Sequence, residues 1–482
     1  MKPNILLIVM DSVRAKNTSF HGHHNVTTPF LQEFAENSVT YKQARAPGNW
    51  SLPSHVSMFT GKDIYEHQIT RSSDKLQPGN TIFEDLNGQG YQTSLFSSNA
   101  WLAQMDVGLR EVFEEIYGPT NLYPFQNALS PDQLMLDPGF QGNLQYLTEA
   151  LKSDRKLKSL ANGASKKISH DYPGLLPDSL KSTTSANTFT DLFLDWQENI
   201  DQPWATCINF MDSHLPYQPS NEYNLWGDEI VEGLQEKSKD HKWQFYSGKR
   251  PWWQLKAFES LYDGAILQID QQIQRIVDNL KKRGDLEDTL IIVTSDHGEC
   301  FGEWSTIREM RLAAHGVGMH ESLLHVPLIV NPPQEFASEI NSLATLSNIP
   351  KMIRQTVLEQ FSPDSLIEGE VVSYIDGLVE PDQEHAQHYC EDPDVFSGEQ
   401  WVKYTKQANG YVTKESVWNS EKRNNSIQSQ IPDSQNEIFI GSSETNWTDE
   451  FQLGSANIKT GGTDVYDASD DVQDRLEDLG YM

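Results

Sequence analysis

Several widely separated residues have the types and the settings to bind a divalent cation. Asp11 directly follows the apolar run 5–10, where strand pairing ends and a carboxylate can face a cleft. Asp296 and His297 repeat this arrangement after the apolar run 289–294. A hard carboxylate beside an imidazole suits an ion such as Mn, Zn or Ca. His214, within Asp212-Ser213-His214-Leu215-Pro216-Tyr217, follows the strand-like residues 205–210, and His315 precedes Gly316 in a loop before the next apolar strand. Taken singly, each has a structural reading, because an Asp after a strand often caps a turn or helix and a lone His is often a hydrogen-bonded core residue. Their recurrence at the ends of inferred strands favours a shared site.

The elements that must position these residues show as hydrophobic patterns. Residues 5–10 read Ile-Leu-Leu-Ile-Val-Met without alternation, which predicts a central strand covered on both faces and therefore a sheet between helices. Helical spacing runs over 29–37. A loop rich in Pro and Gly leads into Ser51-Leu52-Pro53-Ser54-His55-Val56-Ser57-Met58-Phe59-Thr60-Gly61. Pro just inside a helix start and Gly just past its end predict a helix here, with Ser51 beside its N-terminus. Residues 262–283 carry apolar side chains at helical intervals and are followed by the solid apolar strand 289–294; residues 326–330 read as a further short strand. Alternating elements of this kind predict an α/β sandwich over about 1–365, with a mixed, largely parallel sheet between helices and functional loops at the strand ends. A smaller α+β subdomain is expected over 366–482. Residues 150–190, rich in Ser and Lys, and 220–255, rich in Trp and charge, read as insertions. The second is either a lid over the site or surface decoration. Residues 424–434 are almost featureless, and 470–481 resume helical spacing.

Bulk composition narrows the class. The 69 acidic residues against 37 basic ones give a formal net charge of -32, which disfavours nucleic acid and anionic membrane surfaces as partners. We read the excess as a solvated acidic surface, and in its sharper form as that of a halophilic host; in roughly molar salt the Debye length is about 3 Å, so an anionic substrate would hardly be repelled. Three widely spaced cysteines, Cys207, Cys300 and Cys390, suggest neither a disulfide framework nor a thiolate metal site. Asp11 interrupts the first apolar run too early for a signal-peptide core, and nothing later reaches a spanning length, so a cytoplasmic location with no membrane span is expected. Oligomeric state is not readable.

The ordered set of motifs resembles the sulfatase family of the alkaline phosphatase superfamily. It comprises Pro3-Asn4-Ile5 through Asp11 and Arg14, Thr28-Pro29, Ser51-Leu52-Pro53-Ser54-His55 with Thr60-Gly61, Ser295-Asp296-His297-Gly298, His315-Gly316 and Val326-Pro327-Leu328-Ile329-Val330. The resemblance implies an alkaline phosphatase-like sandwich and hydrolysis of a sulfate ester on a small molecule or glycan. Carried over by position, Asp11, Asp296 and His297 hold one divalent metal ion (Ca, Mn, Zn or Mg), with Ser51 as the nucleophile bound to it. His214 and His315 contact the substrate oxyanion or protonate the leaving oxygen. Arg14, His55 and Lys62 add positive charge for substrate binding, with a solvated surface role as the plainer reading of Lys62.

Two departures keep a second chemistry open. Similar sulfatases oxidise a Cys or Ser at this position to formylglycine, and their maturation motif carries Arg four residues later, where this chain has His55. An unmodified serine suits phosphoryl chemistry better, since a phosphoserine intermediate can be released by water or passed to an acceptor alcohol. Family sulfatases often carry a second Asp after the first, and Ser12 stands there instead. A phosphodiester or phosphomonoester hydrolase or phosphotransferase is therefore the alternative, and a non-catalytic binder of acidic glycans a lesser one.

Overall fold

The computed structural model of the chain describes residues 2–119, 129, 140–153, 155–171, 185–237, 242–406, 411–418, 421–428, 438–442, 447–462, 468, 472, 473 and 476. An eight-stranded sheet lies at the centre, in the order Ser338–Thr345, Val39–Arg45, Leu328–Asn331, Thr289–Thr294, Asn4–Met10, Trp204–Phe210, Gln92–Ser97 and Glu115–Tyr117. Among these strands only Leu328–Asn331 runs antiparallel to its neighbours. The remaining pairs are parallel, so seven strands point the same way and their C-terminal ends share one edge. This is the mixed, largely parallel α/β sandwich that the sequence predicts.

The unbroken apolar run of the first strand follows from its surroundings. Ile5, Leu7 and Val9 pack on one face with Leu52, Val56, Met58 and Phe59, whereas Leu6, Ile8 and Met10 pack on the other with Ile266, Ile269 and Ile273. All six strand residues are fully buried, each stabilising the fold by roughly 1.5–3 kcal/mol relative to exposure. Losing either layer would expose alternate residues of the same strand to water.

The helix expected over 262–283 is longer, Trp252–Arg283. Leu255 and Phe258 continue the buried stripe one full turn and more before Tyr262, and Pro251 at the N-cap sets the start. Gly284, left-handed at φ 81°, ends it, with Lys281, Lys282 and Arg283 in the last turn beside the free carbonyls. This extension takes in part of the 220–255 segment, which also forms the helices Glu229–Glu236 and Lys242–Tyr246. Trp243 and Phe245 are buried in two hydrophobic clusters, so the latter half of this segment is core wall rather than surface decoration.

A second, antiparallel sheet comprises Glu370–Asp376, Glu399–Lys406, Tyr411–Trp418, Glu421–Gln428 and Ile438–Gly441. It is tied to the first sheet's loops where Ser373 Oγ donates to Ala46 O (2.7 Å) and Tyr374 N to Pro47 O (3.0 Å). Its fourth strand corrects the featureless reading of 424–428; residues 429–434 lie outside the described residues, as do most of 470–481 and residues 172–184 of the first insertion. No helix among the described residues is long and apolar enough to cross a membrane.

Candidate active site

The shared edge of the parallel strands gathers the polar residues. Asp11 leaves the end of Asn4–Met10, its amide still donating to Phe210 O (2.9 Å). Asp296 and His297 leave Thr289–Thr294, Asn99 follows Gln92–Ser97, and Asn209 sits near the end of Trp204–Phe210. Ser51 opens the helix Ser51–Thr60, all ten residues of which are buried; Gly61 ends it at φ 77°. First-turn amides have no partner within a helix and present partial positive charge to whatever lies before it.

These elements bring Ser51 into a cluster of two acids and an imidazole. Ser51 Oγ lies 3.4 Å from Asp11 Oδ2 and 3.5 Å from His297 Nε2. One side-chain atom each from Asp11, Asp296 and His297 lies within 4.8 Å of the others, and all three residues are buried. Donors engage both oxygens of Asp11 but only one of Asp296. Asp296 Oδ1 accepts from Ser12 N (3.2 Å) and His297 N (3.0 Å), whereas its Oδ2, though buried, has no hydrogen-bond partner. Asp11 Oδ2 accepts from Asn99 Nδ2 (3.0 Å) and Asn209 Nδ2 (3.2 Å), and Ser12 Oγ donates to Asp11 Oδ1 (3.0 Å). His297 Nδ1 donates to Gly298 O (2.8 Å), which turns Nε2 toward the acids, the orientation of a metal-ligating imidazole. A buried orphan carboxylate oxygen, a second carboxylate and an imidazole Nε2 facing them fit a divalent cation.

Electrostatics follow the same arrangement. Burial pushes the Asp11 carboxyl up, but the charges of His214, His297 and His55 together with the Asn209 hydrogen bond outweigh it and hold Asp11 below its ordinary value. Burial lowers His297, yet Asp296 and Asp11 raise it above the usual imidazole range. Burial raises Glu299 to about 7 against the opposing influence of His214 and His297. Burial and the nearby His297, His214 and Lys242 charges hold His315 well below its ordinary value.

His214, His315 and His55 also reach this place. The ring centroids of His315 and His297 are 4.6 Å apart, and those of His214 and His315 are 4.8 Å apart. His214 Nδ1 donates to Leu215 O (2.7 Å), so Nε2 is the nitrogen left for other partners. His55, one helical turn after Ser51, donates from Nδ1 to Ser51 O (2.8 Å) and lies 3.7 Å from Asp296 Oδ2.

Two expected substrate-binding residues do not. The Arg14 guanidinium is fully buried and taken up by Glu259, Glu303 (2.6 Å), Asn17 and Glu299 O (3.2 Å), so its charge is neutralised within the protein rather than offered to an anion. Lys62 is exposed beyond Gly61, at the far end of the helix from Ser51, and takes the plain surface role. Other groups were not foreseen: Asn99 and Asn209 on Asp11, Ser213 Oγ on Asp11 O (2.6 Å), and Glu299 beside His315 Nδ1 (3.3 Å) with Tyr217 OH donating to it (3.0 Å). A polar residue closing an apolar strand, as at Asn209, was the available signal.

The sheet order, with its acids and imidazoles at the C-terminal strand edge, defines an alkaline phosphatase-like α/β sandwich; phosphonate monoester hydrolase of Agrobacterium radiobacter has this fold, with a TM-score of 0.57, 17% identity and 94% of each chain covered. Within that class the chain belongs to the sulfatase family, whose profile, described simply as Sulfatase, matches residues 3–356. It is 22% identical over 342 residues to an arylsulfatase from Clostridium perfringens, covering 64% of this chain and 66% of that protein. It is 21% identical over 396 residues to N-acetylglucosamine-6-O-sulfatase from Bacteroides thetaiotaomicron, covering 72% of this chain and 66% of that protein. The chain thus spans just under two thirds of the length of either relative.

Proposed function

We propose that this chain hydrolyses a sulfate ester, with residue 51 as the nucleophile and Asp11, Asp296 and His297 holding one divalent cation. The observation that carries this reading is the position of Ser51 Oγ, within 3.5 Å of both Asp11 Oδ2 and His297 Nε2. A bound cation would neutralise charge on the oxyanion and acidify the residue-51 hydroxyl. Around it, the Ser51–Thr60 helix sets its N-terminal amides beside the reacting centre, and Asn99 and Asn209 fix Asp11. His214 and His315 stand next to His297, where one can donate to the oxyanion and the other can hand a proton to the leaving oxygen. The names of the two relatives support sulfate, carried on a small molecule or a glycan.

Cleavage of a phosphodiester or phosphomonoester by unmodified Ser51 is the second reading. What favours it is His55, which fills the place four residues after the nucleophile and holds the Ser51 carbonyl. Mass analysis of the Ser51 peptide from the native host separates the two: loss of two hydrogens marks formylglycine and supports sulfate, whereas an intact serine supports phosphorus. Parallel assays with an aryl sulfate and an aryl phosphate diester, each with Mn, Ca, Zn and Mg, test turnover directly. No turnover in any combination would sink both readings and leave the binder of acidic glycans.

The -32 charge we read as that of a salt-adapted protein. Its unfolding midpoint should rise between dilute buffer and roughly molar KCl, where screening shortens the Debye length to about 3 Å; a midpoint that falls would remove this reading.

A further inference from the structure

His315 is held by its ring and, separately, by its backbone. The ring is set by Glu299, whose two carboxylate oxygens each lie 3.3 Å from Nδ1. The backbone is set by Lys242, whose Nζ donates to His315 O (2.9 Å) and pairs with Asp382 Oδ2 (2.7 Å). The other Asp382 oxygen accepts from Trp243 Nε1 (2.9 Å), so the acid is itself fixed. The Lys242 and Asp382 side chains are only 11% and 8% exposed. The pair touches the turn that follows His315: a Cβ built on Gly316, left-handed at φ 82°, would lie 3.1 Å from Asp382 Oδ2 and 3.2 Å from Lys242 Nζ. On its other side this turn is tied to the nucleophile's own loop, with Gly316 N donating to Asn49 O (3.2 Å) and Asn49 Nδ2 to Gly318 O (2.7 Å).

A nearly buried ion pair is a poor means of gaining stability, because desolvation of both charges offsets most of their attraction. What it supplies is a fixed geometry with directional bonds. Here Lys242 bonds to the His315 carbonyl and Asp382 holds that lysine, so two segments remote in sequence act on His315. Lys242 comes from the Trp-rich insertion, and Asp382 from the helix Glu380–Tyr389, which lies beyond residues 3–356 of the family match.

We propose that the Lys242–Asp382 pair is a positioning element that holds the His315–Gly316 backbone so that the His315 ring keeps its tilted contact with His297 at the reacting centre. The consequence for catalysis rests on the function proposed above; the consequence for geometry does not. A displacement of about 1 Å in a group that meets the substrate costs on the order of 100-fold in rate.

The test is the full-length double variant Lys242→Met/Asp382→Asn, which removes both charges and leaves neither buried alone. Expected are a crystal structure with the His315 ring moved away from its 4.6 Å separation from His297, a fall in kcat of about 100-fold, and a KM and MnCl2 affinity close to those of the wild type. Lys242→Arg, which keeps a donor and a charge, should recover most of the rate. If the double variant does not fold, Asp382→Glu, which shifts the carboxylate by one methylene, is read in the same way. An unmoved ring, or a kcat within about twofold of the wild type, overturns the proposal; so does a rate loss matched by equal losses in MnCl2 affinity and unfolding midpoint, which marks a merely structural strut. If the wild type turns over neither ester, the proposed function fails, and the position of the ring in the variant structure still decides the clamp.

Discussion

Two buried acid clusters lie within a few residues of each other in this protein and are balanced in opposite ways. Around Arg14, the acids Glu259 and Glu303 are closed by the guanidinium, by Lys256 and by Asn17, so two positive charges balance the two acids. Around Ser51, Asp11 and Asp296 meet amides, hydroxyls and imidazoles, and one oxygen of Asp296 meets no donor. Burying a carboxylate without a counter-charge is costly, and a fold tolerates it where something outside the chain supplies the charge. The satisfied cluster therefore holds the structure, and the unsatisfied one has the open carboxylate oxygen that the proposed cation site requires.

The sharpest way to break this contrast is to remove one acid from each kind of cluster. Asp296→Ala and Ser51→Ala should each lower kcat/KM by roughly 1,000-fold or more, as expected for groups that act as a unit with a cation. In protein stripped of metal, Asp296→Ala should lower the unfolding midpoint far less than Arg14→Met, because the buried Asp296 charge is balanced only in part, by His297. A large drop there would mean that Asp296 is a structural acid like Glu259.

Arg14→Met should do the reverse. It strands Glu259 and Glu303, and destabilisation by about 3–5 kcal/mol is expected from urea unfolding, with kcat per folded molecule retained. The same cluster has a pH signature. Burial raises Glu259, but Arg14, Lys256 and Asn17 lower it further, to about 2 from the ordinary 4.5. Since the folded-state value is the lower one, its contribution is complete above the ordinary value and is lost as the pH falls from 4.5 toward 2. That contribution is on the order of 3 kcal/mol. Glu259→Gln should flatten the acid limb of the stability profile in this window, and an unchanged limb would show that other acids govern it.

A smaller effect sharpens the other side. Added MnCl2 at 100 times its dissociation constant should stabilise the wild type by about 2.7 kcal/mol, measured as a shift in thermal unfolding. Asp296→Ala should abolish this shift and Arg14→Met should keep it.

How much of this was legible in the sequence differs between the clusters for a physical reason. Asp11, Asp296 and His297 stand at the ends of apolar runs that can only be buried strands, and parallel strands share one edge, so their convergence follows from hydrophobic patterning. The Ser51 helix was marked by Pro53 and Gly61. The closure of Arg14 was not legible, because its acidic partners lie 245 and 289 residues away on faces fixed only by tertiary packing. Asn99 was missed because an amide just past a strand end looks like any turn residue until its neighbour is known, whereas Asn209 left a trace as a polar residue near the end of an apolar strand. The strand Glu421–Gln428 escaped for a similar reason: it pairs with Tyr411–Trp418 through backbone bonds, which leave no mark in so polar a stretch.

Lys62 provides the smallest effect and the finest test of where the active cluster ends. The sequence places it eleven residues after Ser51, close enough to suggest a shared site. The helix between them rises about 1.5 Å per residue, so its ten residues set Lys62 roughly 15 Å along the axis from Ser51. Gly61 turns the chain outward there, its amide donating to Ser57 O (2.9 Å), and Lys62 is exposed. At physiological salt the Debye length is about 8 Å, so an exposed charge at that distance is largely screened. Lys62→Ala should therefore leave stability within about 0.5 kcal/mol and kcat/KM within about twofold of the wild type at that ionic strength. A tenfold fall in kcat/KM would instead put Lys62 in contact with substrate and extend the unsatisfied cluster past the helix end.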